Sequence, residues 1–270
     1  MSTEQGYYAK GFDSSISKTH AWRTVENSCA YLIRYIKDND KVLDVGCGPG
    51  TITMDLARRY VPKGEVIGVE PIQEFVDAGN LKRSEMNLKN CHFQFASGDK
   101  LPFEDNTFDI VHAHQVLVHV ENQVDVLKEM KRVTKPGGIV CSKDADLETS
   151  QVYPTKLDET LKSQFLAKTK CSSTHPQAGR HLRKWAIDSG FSPMSISSSA
   201  SLWFIANEED RKWFGKMFRD RALHSTETLI PFDAEGDLRK RQEVAQAWDD
   251  FIRDSSSCYY LMHGEVVCKK

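Results

Sequence analysis

The sequence lacks an apolar run long enough to cross a membrane. A spanning helix needs about 20 consecutive apolar residues, and no such run occurs in this 270-residue chain, whose mean hydropathy is −0.49. Residues 1–12 also lack the apolar core of a signal peptide. We therefore expect a cytoplasmic protein, with the nucleus as the alternative compartment.

The sequence also lacks an excess of charge of either sign. Its 36 lysines and arginines nearly balance its 38 aspartates and glutamates, which gives a formal net charge of −2. A dedicated nucleic-acid-binding domain is usually strongly basic. The balance of charge therefore argues against a nucleic-acid partner.

Paired cysteines are missing as well. The seven cysteines include no C-x-x-C pair, and an odd, dispersed set indicates neither a disulfide framework nor a zinc site. Free cysteines usually behave as small buried apolar side chains. We therefore predict no bound metal, and we expect even Cys47, inside a glycine-rich segment, to turn its side chain into the protein.

Short apolar runs alternate with helical patterns over the first half of the chain. This alternation is typical of a parallel sheet with helices on both faces. We therefore predict an α/β fold with a doubly wound, mostly parallel sheet. The predicted strands are 41–45, 65–70, 92–99, 108–115 and 138–144, and the predicted helices are 72–88 and 122–134.

The alternation weakens after residue 145. We predict helices at 155–169 and 177–189, a strand within 192–206, and a final strand at 259–267. Residues 207–254 are charged and helical. An apolar stripe that begins just before them is more typical of core than of a pocket, and it comprises Trp203, Phe204, Trp213, Phe214, Met217 and Phe218. We predict one domain over 1–270, divided into an N-terminal helical cover (1–40), a ligand-binding core (41–145) and a substrate-side half (146–270) with a helical insertion at about 207–254.

The strongest motif follows the first predicted strand and reads Asp44-Val45-Gly46-Cys47-Gly48-Pro49-Gly50. Glycines allow the backbone to bend with positive φ and to approach a ligand closely. The helix that follows presents free N–H groups and the positive end of its dipole. Since ligands of open α/β sheets bind at the carboxyl ends of the strands, we predict a ligand site here.

Two nucleotide-binding motifs fit this segment poorly. A dinucleotide fingerprint requires a third glycine where Thr51 stands, and a P-loop requires a lysine after Gly50. The pattern D-x-G-x-G-x-G instead resembles the first motif of class I S-adenosylmethionine-dependent methyltransferases. The resemblance implies that the methionine part of that cofactor is surrounded by Asp44, Gly46, Cys47, Gly48 and Gly50.

Two further segments extend the resemblance. Glu70 ends the second predicted strand, where a carboxylate can accept charge-assisted hydrogen bonds from a ribose diol. We expect Pro71 and Ile72 to supply apolar surface near the adenine. The segment Ser97-Gly98-Asp99-Lys100 is similar to the family's third motif, which implies that Gly98, Asp99 and the backbone of Lys100 contact the adenine.

The region from 41 to 144 looks like the subgroup that contains the ubiquinone and menaquinone C-methyltransferases. It includes the F-D-x-V run at 108–111, the segment His114-Gln115-Val116-Leu117-Val118-His119, and a K-P-G-G turn at 135–138. Glu70 replaces the aspartate frequent in the family, and Val118 stands where a second histidine is common. The resemblance implies a seven-stranded sheet, S-adenosylmethionine as cofactor, S-adenosylhomocysteine as product, and a cofactor contact from Gln115.

The N-terminal segment has a polar stripe that could face the cofactor. His20, Arg23, Thr24 and Asn27 have the spacing of one helical face. An N-terminal helix covers the cofactor in related enzymes, so we predict that His20, Arg23 and Thr24 reach the methionine carboxylate or the mouth of the site. A solvated helix face is the alternative. Tyr7, Tyr8 and Phe12 could order over the cleft or simply pack.

Methyl transfer from a sulfonium is an in-line displacement, in which the protein mainly aligns the reactants and excludes water. A base helps if the acceptor carries an acidic proton. We propose His114 and His119 for this role because they follow the fourth predicted strand. Other candidates are Glu121, Asp144 and His175, and a metal pair at His112 and His114 is a weaker alternative.

The sequence therefore predicts a methyltransferase that acts on a small molecule. If part of the apolar stripe lines a pocket, the acceptor is apolar or aromatic. A protein or nucleic-acid methyltransferase is one alternative, although no N-P-P-Y motif follows the fourth strand. A non-catalytic cofactor-binding scaffold is the other. The methylated atom (oxygen, nitrogen or carbon) and the oligomeric state stay open.

Overall fold

The computed structural model describes residues 19–167, 174–225 and 228–270. Its centre is a mixed sheet of eight strands. In chain order these are β1 (Lys41–Val45), β2 (Glu65–Glu70), β3 (Cys91–Phe95), β4 (Phe108–His114), β5 (Thr134–Ala145), β6 (Gln151–Tyr153), β7 (Ile196–Ile205) and β8 (Cys258–Lys269). The segment containing Tyr7, Tyr8 and Phe12 lies outside the described residues.

The strand order is β3-β2-β1-β4-β5-β8, and the first five of these strands run parallel. The last strand, β8, is antiparallel to β5 and β6 on one side and to β7 on the other. The predicted doubly wound, mostly parallel sheet is therefore confirmed. The three-residue strand β6 was not predicted because it is too short to show a periodic pattern.

The helices cover both faces of the sheet and its β8 end. They are α1 (Val25–Ser28), α2 (Thr51–Asp55), α3 (Gln73–Glu85), α4 (Gln123–Val133), α5 (Asp158–Leu166), α6 (Ala178–Asp188), α7 (Glu208–His224) and α8 (Ala234–Arg253). The pair α7 and α8 lies between β7 and β8 in the chain, which confirms the predicted helical insertion. No helix among the described residues is both long and apolar enough to cross a membrane.

Alternation along the strands separates two apolar layers. Val42 and Ile110 pack with α1, α2 and α3 on one face, while Leu43 and Val111 pack with α4 and α6 on the other. A third cluster, around the fully buried Trp248, joins α5, α7 and α8. These layers hold the carboxyl ends of β1, β2, β4 and β5 at one edge of the sheet.

The N-terminal segment differs from its prediction. Thr24 is the N-cap of α1 and forms a capping box with Asn27, so the helix begins at Val25 and ends after four residues. A 3-10 turn (Ala30–Tyr35) follows it. The prediction that His20, Arg23 and Thr24 share one helical face is wrong, because the cap interaction starts the helix after them.

The K-P-G-G segment also differs from its prediction. Residues 135–138 do not separate a helix from a strand but form a bulge inside β5, where Thr134 pairs with Phe108 and Ile139 pairs with Ile110. Gly137 has φ +81°, and its missing Cβ would meet no atom within 4 Å. The strand β5 therefore begins at Thr134, four residues before the start that the sequence pattern predicted.

Candidate active site

The glycine-rich turn after β1 has the geometry that its sequence predicts. Gly46, Gly48 and Gly50 all have positive φ, between +53° and +74°. The turn closes through the Gly50 N–H, which donates to the Cys47 carbonyl oxygen at 3.0 Å. A Cβ at Gly50 would strike Phe93 at 2.4 Å, whereas a Cβ at Gly48 would meet nothing within 4 Å. Gly48 therefore faces open space that a ligand can enter.

Glu70 reaches this turn from the end of β2. Its Oε2 accepts a hydrogen bond from the Gly48 N–H at 2.9 Å, and the side chain is buried. The carboxylate thus lies beside the backbone that faces the open space. Cys47 contacts the strand behind the turn, since its Sγ lies 2.8 Å from where a Cβ of Gly68 would be, so its side chain points into the protein as predicted.

A cavity opens in front of the turn, and we call it the loop cavity. Five of the residues predicted to bind a cofactor line it together, and so does the predicted base His119. The lining residues are Val45, Gly46, Glu70, Pro71, Gly98, Gln115, Val116, His119 and Val120. The ends of β1, β2 and β4 therefore contribute residues to one cavity.

A second cavity, the aromatic cavity, shares Gln115 and His119 with the loop cavity. It lies between the N-terminal segment, the end of β5 and the helices α5 and α7. Its lining residues are Thr19, His20, Trp22, Arg23, Gln115, Val118, His119, Ala145, Leu147, Phe165, Trp203, Phe218, Arg221 and Leu261. Gln115 has φ +58°, an uncommon conformation for a residue other than glycine, and one that often marks functional sites.

The N-terminal segment borders the aromatic cavity. The Trp22 indole packs edge-on against Trp203 and Trp213, with ring centroids 5.0 Å apart in both pairs. The Arg23 guanidinium lies 5.8 Å from the centroid of the Trp203 ring. His20 and Arg23 thus line the aromatic cavity and not the loop cavity, while Thr24 caps α1.

Asp44 is buried behind the turn. Its carboxylate accepts from the Thr53 hydroxyl at 2.7 Å and lies 3.2 Å from Nδ1 of His112, whose Nε2 lies 3.4 Å from the Sγ of Cys29. Burial opposes a charge on His112, but Cys29 and Asp44 outweigh it and raise the pKa of His112 to about 10. Asp44 therefore ties α2 and the N-terminal segment to the sheet and lines neither cavity.

The remaining predicted contacts lie at the rim of the site. The Asp99 carboxylate accepts from the Ser97 hydroxyl at 2.6 Å, and the Lys100 N–H donates to the Ser97 carbonyl oxygen at 3.2 Å. These bonds shape a tight turn beside Gly98. Ile72 is buried and precedes α3. Asp99, Lys100 and Ile72 are thus adjacent to the loop cavity without being among its lining residues.

The two histidines proposed as bases occupy different environments. His119 lines both cavities. His114 lines neither, and within the part of the chain that the structure describes neither of its ring nitrogens has a hydrogen-bond partner. Burial, together with the nearby cations Arg23 and Lys143, holds the pKa of His114 well below its usual range. Of the two, the structure therefore brings only His119 to the lining of both cavities.

Metal-binding groups do not converge at this site. The rings of His112 and His114 are stacked with centroids 6.4 Å apart, and both nitrogens of His112 contact Asp44 or Cys29. Across residues 19–167, 174–225 and 228–270, no three histidine, cysteine or acidic side chains are arranged to hold a metal ion.

Asp144 is fully buried at the end of β5, close to the backbone that carries His119. Oδ1 accepts from the Val118 N–H and Oδ2 from the Ser142 hydroxyl, each at 3.0 Å. Burial raises the pKa of Asp144 to about 7, although these bonds, the charge of His112 and the Leu117 N–H work in the opposite direction. This candidate base is therefore separated from both cavities.

Asp144→Asn tests the raised pKa. A carboxyl whose pKa rises from 3.8 to about 7 on folding stabilises the fold fully below about pH 4 and loses that contribution as the pH rises through 7. Relative to the variant, the parent's free energy of unfolding should fall by up to about 1.4 kcal/mol per pH unit over this window. Urea unfolding of both proteins measures this difference, and a pH-independent difference would contradict the assignment.

Sequence reasoning missed several residues that line the aromatic cavity. Trp22, Phe165 and Arg221 were not singled out, and Trp203 and Phe218 were expected mainly in the core. These side chains come from segments far apart in the chain, so no local spacing links them. The apolar stripe itself is divided, because Phe214 is buried in the core whereas Phe204 is exposed.

Comparison with known proteins agrees with this architecture. A family model described as a methyltransferase domain matches residues 36–200. An uncharacterised methyltransferase of Schizosaccharomyces pombe is 51% identical over 99% of this chain and 98% of its own length. The demethylmenaquinone methyltransferase of Bacillus cereus is 37% identical over 51% of this chain and 54% of its own length.

A solved structure shares the fold. Phosphoethanolamine N-methyltransferase 2 of Haemonchus contortus, solved with phosphomonomethylethanolamine and S-adenosylhomocysteine, has a TM-score of 0.57 and 16% identity. The match covers 90% of this chain and 52% of that one. At this identity the likeness shows the fold alone.

Proposed function

We propose that this chain, which belongs to the class I S-adenosylmethionine-dependent methyltransferases, transfers the cofactor's methyl group to a small apolar or aromatic molecule. The observation that carries the proposal is that Gln115 and His119 line both cavities. A cofactor in the loop cavity and an acceptor in the aromatic cavity would then face each other at these two residues. We propose the cytoplasm as the compartment, as the sequence indicates.

The residues around the loop cavity fit the cofactor. The open space beside Gly48 accommodates a ligand against the backbone, and the Glu70 carboxylate at its edge can accept hydrogen bonds from a ribose diol. We assign the methionine part to the glycine turn and the adenosine to the rim. The residues assigned to the rim are Glu70, Pro71, Ile72, Gly98, Asp99 and Lys100.

The aromatic cavity suits an apolar or aromatic acceptor. Trp22, Phe165, Trp203 and Phe218 supply large aromatic faces, and aromatic side chains bind planar ligands through stacked and edge-on contacts. Val118, Ala145, Leu147 and Leu261 add apolar side chains to its lining. This aromatic and apolar lining supports a small apolar acceptor over a protein or a nucleic acid.

The bound cofactor supplies a methyl group already activated by a positively charged sulfur. The chain's own contribution is to align the acceptor with that methyl group and to exclude competing water. His119 is the residue we propose to take a proton from an acidic acceptor, because of the two candidate histidines it alone lines both cavities. Gln115, which lies four residues before it, contributes a second polar group beside both cavities.

Removal of the imidazole tests this role. His119→Ala should lower the rate of methyl transfer by about 100-fold, since general bases typically contribute at least that much. His92→Ala is the matched control, because His92 lies on β3 and lines neither cavity. Single-turnover rates measure the effect, and a His119→Ala rate within twofold of the parent would remove His119 from the mechanism.

A labelling screen tests the proposed function itself. The protein is incubated with S-adenosylmethionine labelled in its methyl group and with lipid, quinone, sterol and secondary-metabolite fractions. We expect label in a small molecule that organic solvent extracts. Label found only in protein or nucleic acid would support the alternative methyltransferase classes, and cofactor binding without transfer to any pool would support a scaffold.

A further inference from the structure

Of the two residues shared by the cavities, His119 ends a short turn after β4 and Gln115 immediately precedes that turn. The His119 N–H donates to the Val116 carbonyl oxygen at 2.8 Å and closes a four-residue turn, which we call the junction turn (residues 116–119). Gln115 precedes it in a left-handed conformation. The direction of the His119 side chain therefore depends on how this turn is held.

The end of β5 supports the junction turn at several points. The Gln115 N–H donates to the Lys143 carbonyl oxygen at 2.8 Å, and the Ala145 N–H lies 3.4 Å from the Gln115 side-chain oxygen. Between these two contacts, the Asp144 carboxylate accepts a hydrogen bond from the Val118 N–H at 3.0 Å. A middle residue of the turn is thus held by a buried carboxylate.

The burial of Asp144 makes a purely space-filling role implausible. A carboxylate removed from water costs several kcal/mol unless its hydrogen bonds are satisfied, and an apolar residue of the same size avoids that cost. Here the side chain is 0% exposed, and its hydrogen bonds go to the junction turn and to the neighbouring Ser142. The contacts therefore favour a role in setting the geometry of the turn.

We propose that Asp144 is a positioning residue for methyl transfer. Its carboxylate binds the Val118 N–H, and it thereby holds the His119 imidazole beside the loop cavity and the aromatic cavity. The inference rests on the proposed function, in which the reaction takes place there. It changes the role of Asp144 from a candidate base to a support for the base.

Three variants separate positioning from stability. Asp144→Asn keeps an oxygen that can accept the Val118 N–H, whereas Asp144→Leu keeps the size and removes every acceptor. Thr134→Val is the matched control, because Thr134 is also fully buried on β5 and its hydroxyl donates to the Met130 carbonyl oxygen, at the opposite end of the strand. All three should fold, as judged by circular dichroism.

Two readouts are compared across these variants. The first is the ¹H–¹⁵N spectrum of the His119 imidazole in the presence of S-adenosylhomocysteine. The second is methyl transfer to the acceptor pool, separated into kcat and the KM for the cofactor. We expect Asp144→Leu to move the His119 signals and to lower kcat by about 100-fold, as a misplacement of about 1 Å can do, with KM changed by less than about threefold. Asp144→Asn should recover most of the rate.

The proposal is overturned if Asp144→Leu leaves the His119 signals and kcat like those of Thr134→Val. If the leucine variant does not fold, Asp144→Glu replaces it, since one added methylene displaces the carboxylate and should also move the His119 signals. Unmoved signals in a folded glutamate variant would likewise overturn the proposal. The spectrum needs no acceptor, so absence of product with the parent protein would count against the proposed function and not against the positioning role.

Discussion

Gly48→Val should abolish measurable binding of S-adenosylhomocysteine while the chain still folds. Gly48 stands in the middle of the turn after β1, with φ +53° and no atom within 4 Å of the place its Cβ would take. The Cβ of a valine therefore meets no atom of the described residues, and the side chain extends into the space that we assign to the cofactor. We expect the affinity to fall by more than about 100-fold, or about 3 kcal/mol.

Backbone strain is separated from this steric effect by Gly137→Val. Gly137 also has a left-handed φ, of +81°, with no atom within 4 Å of its Cβ position, and it lies in the bulge of β5. In both variants, holding a valine in the left-handed conformation should cost about 1–2 kcal/mol of folding free energy. Calorimetry should show that Gly137→Val binds S-adenosylhomocysteine with the parent's affinity, whereas Gly48→Val does not. Equal affinity in the two variants would mean that the cofactor does not lie against Gly48.

Glu70→Ala should produce the next largest loss of cofactor affinity, about 100-fold. We propose that the carboxylate accepts two hydrogen bonds from the ribose diol, and hydrogen bonds to a charged group contribute about 1.5–3 kcal/mol each. Glu70 also accepts from the Gly48 N–H at 2.9 Å. Glu70→Gln keeps an acceptor for that N–H but loses the charge, so we expect it to bind about 10-fold more weakly than the parent.

The control for Glu70 lies at the other end of the same strand. Glu65 begins β2, is 38% exposed and pairs with Lys41 at 2.9 Å. Glu65→Gln removes a similar carboxylate far from the cavity, and surface ion pairs of this kind contribute at most about 1 kcal/mol. Its affinity for S-adenosylhomocysteine should equal that of the parent. A similar loss in Glu65→Gln and Glu70→Gln would exclude a direct role for Glu70.

The core of the fold could be predicted because local patterns encode it. Apolar runs such as 41–45 and 65–70 became β1 and β2 with those bounds, since a strand buried on both faces leaves a continuous apolar signal. The glycine turn could be predicted equally well, because left-handed backbone conformations favour glycine. Both features depend on residues close together in the chain.

The role of Asp44 could not be predicted in the same way. Its motif position suggested a carboxylate facing the cofactor, but in the structure its oxygens contact Thr53 and His112. Those partners come from α2 and β4, and only the packed fold brings them together. The prediction for the N-terminal segment was wrong for a related reason. The residues on both sides of Thr24 have helical spacing, but Thr24 caps the helix, which therefore begins only at Val25.

The acceptor side was the least predictable part of the site. Trp22, Trp203 and Arg221 line one cavity although they lie in three distant segments. Pairing of β7 with β8, together with packing of α7, brings Trp203 and Arg221 towards the N-terminal segment. Sequence spacing carries no signal for such convergence, which explains why the aromatic stripe was assigned mainly to the core.

A crystal structure of the chain with S-adenosylhomocysteine tests the central claim most directly. It should show the ribose hydroxyls within hydrogen-bond distance of Glu70, the amino-acid part against the turn at Gly48, and the sulfur directed towards His119. Density for the nucleoside elsewhere, or an empty loop cavity at a saturating concentration of the compound, would contradict it.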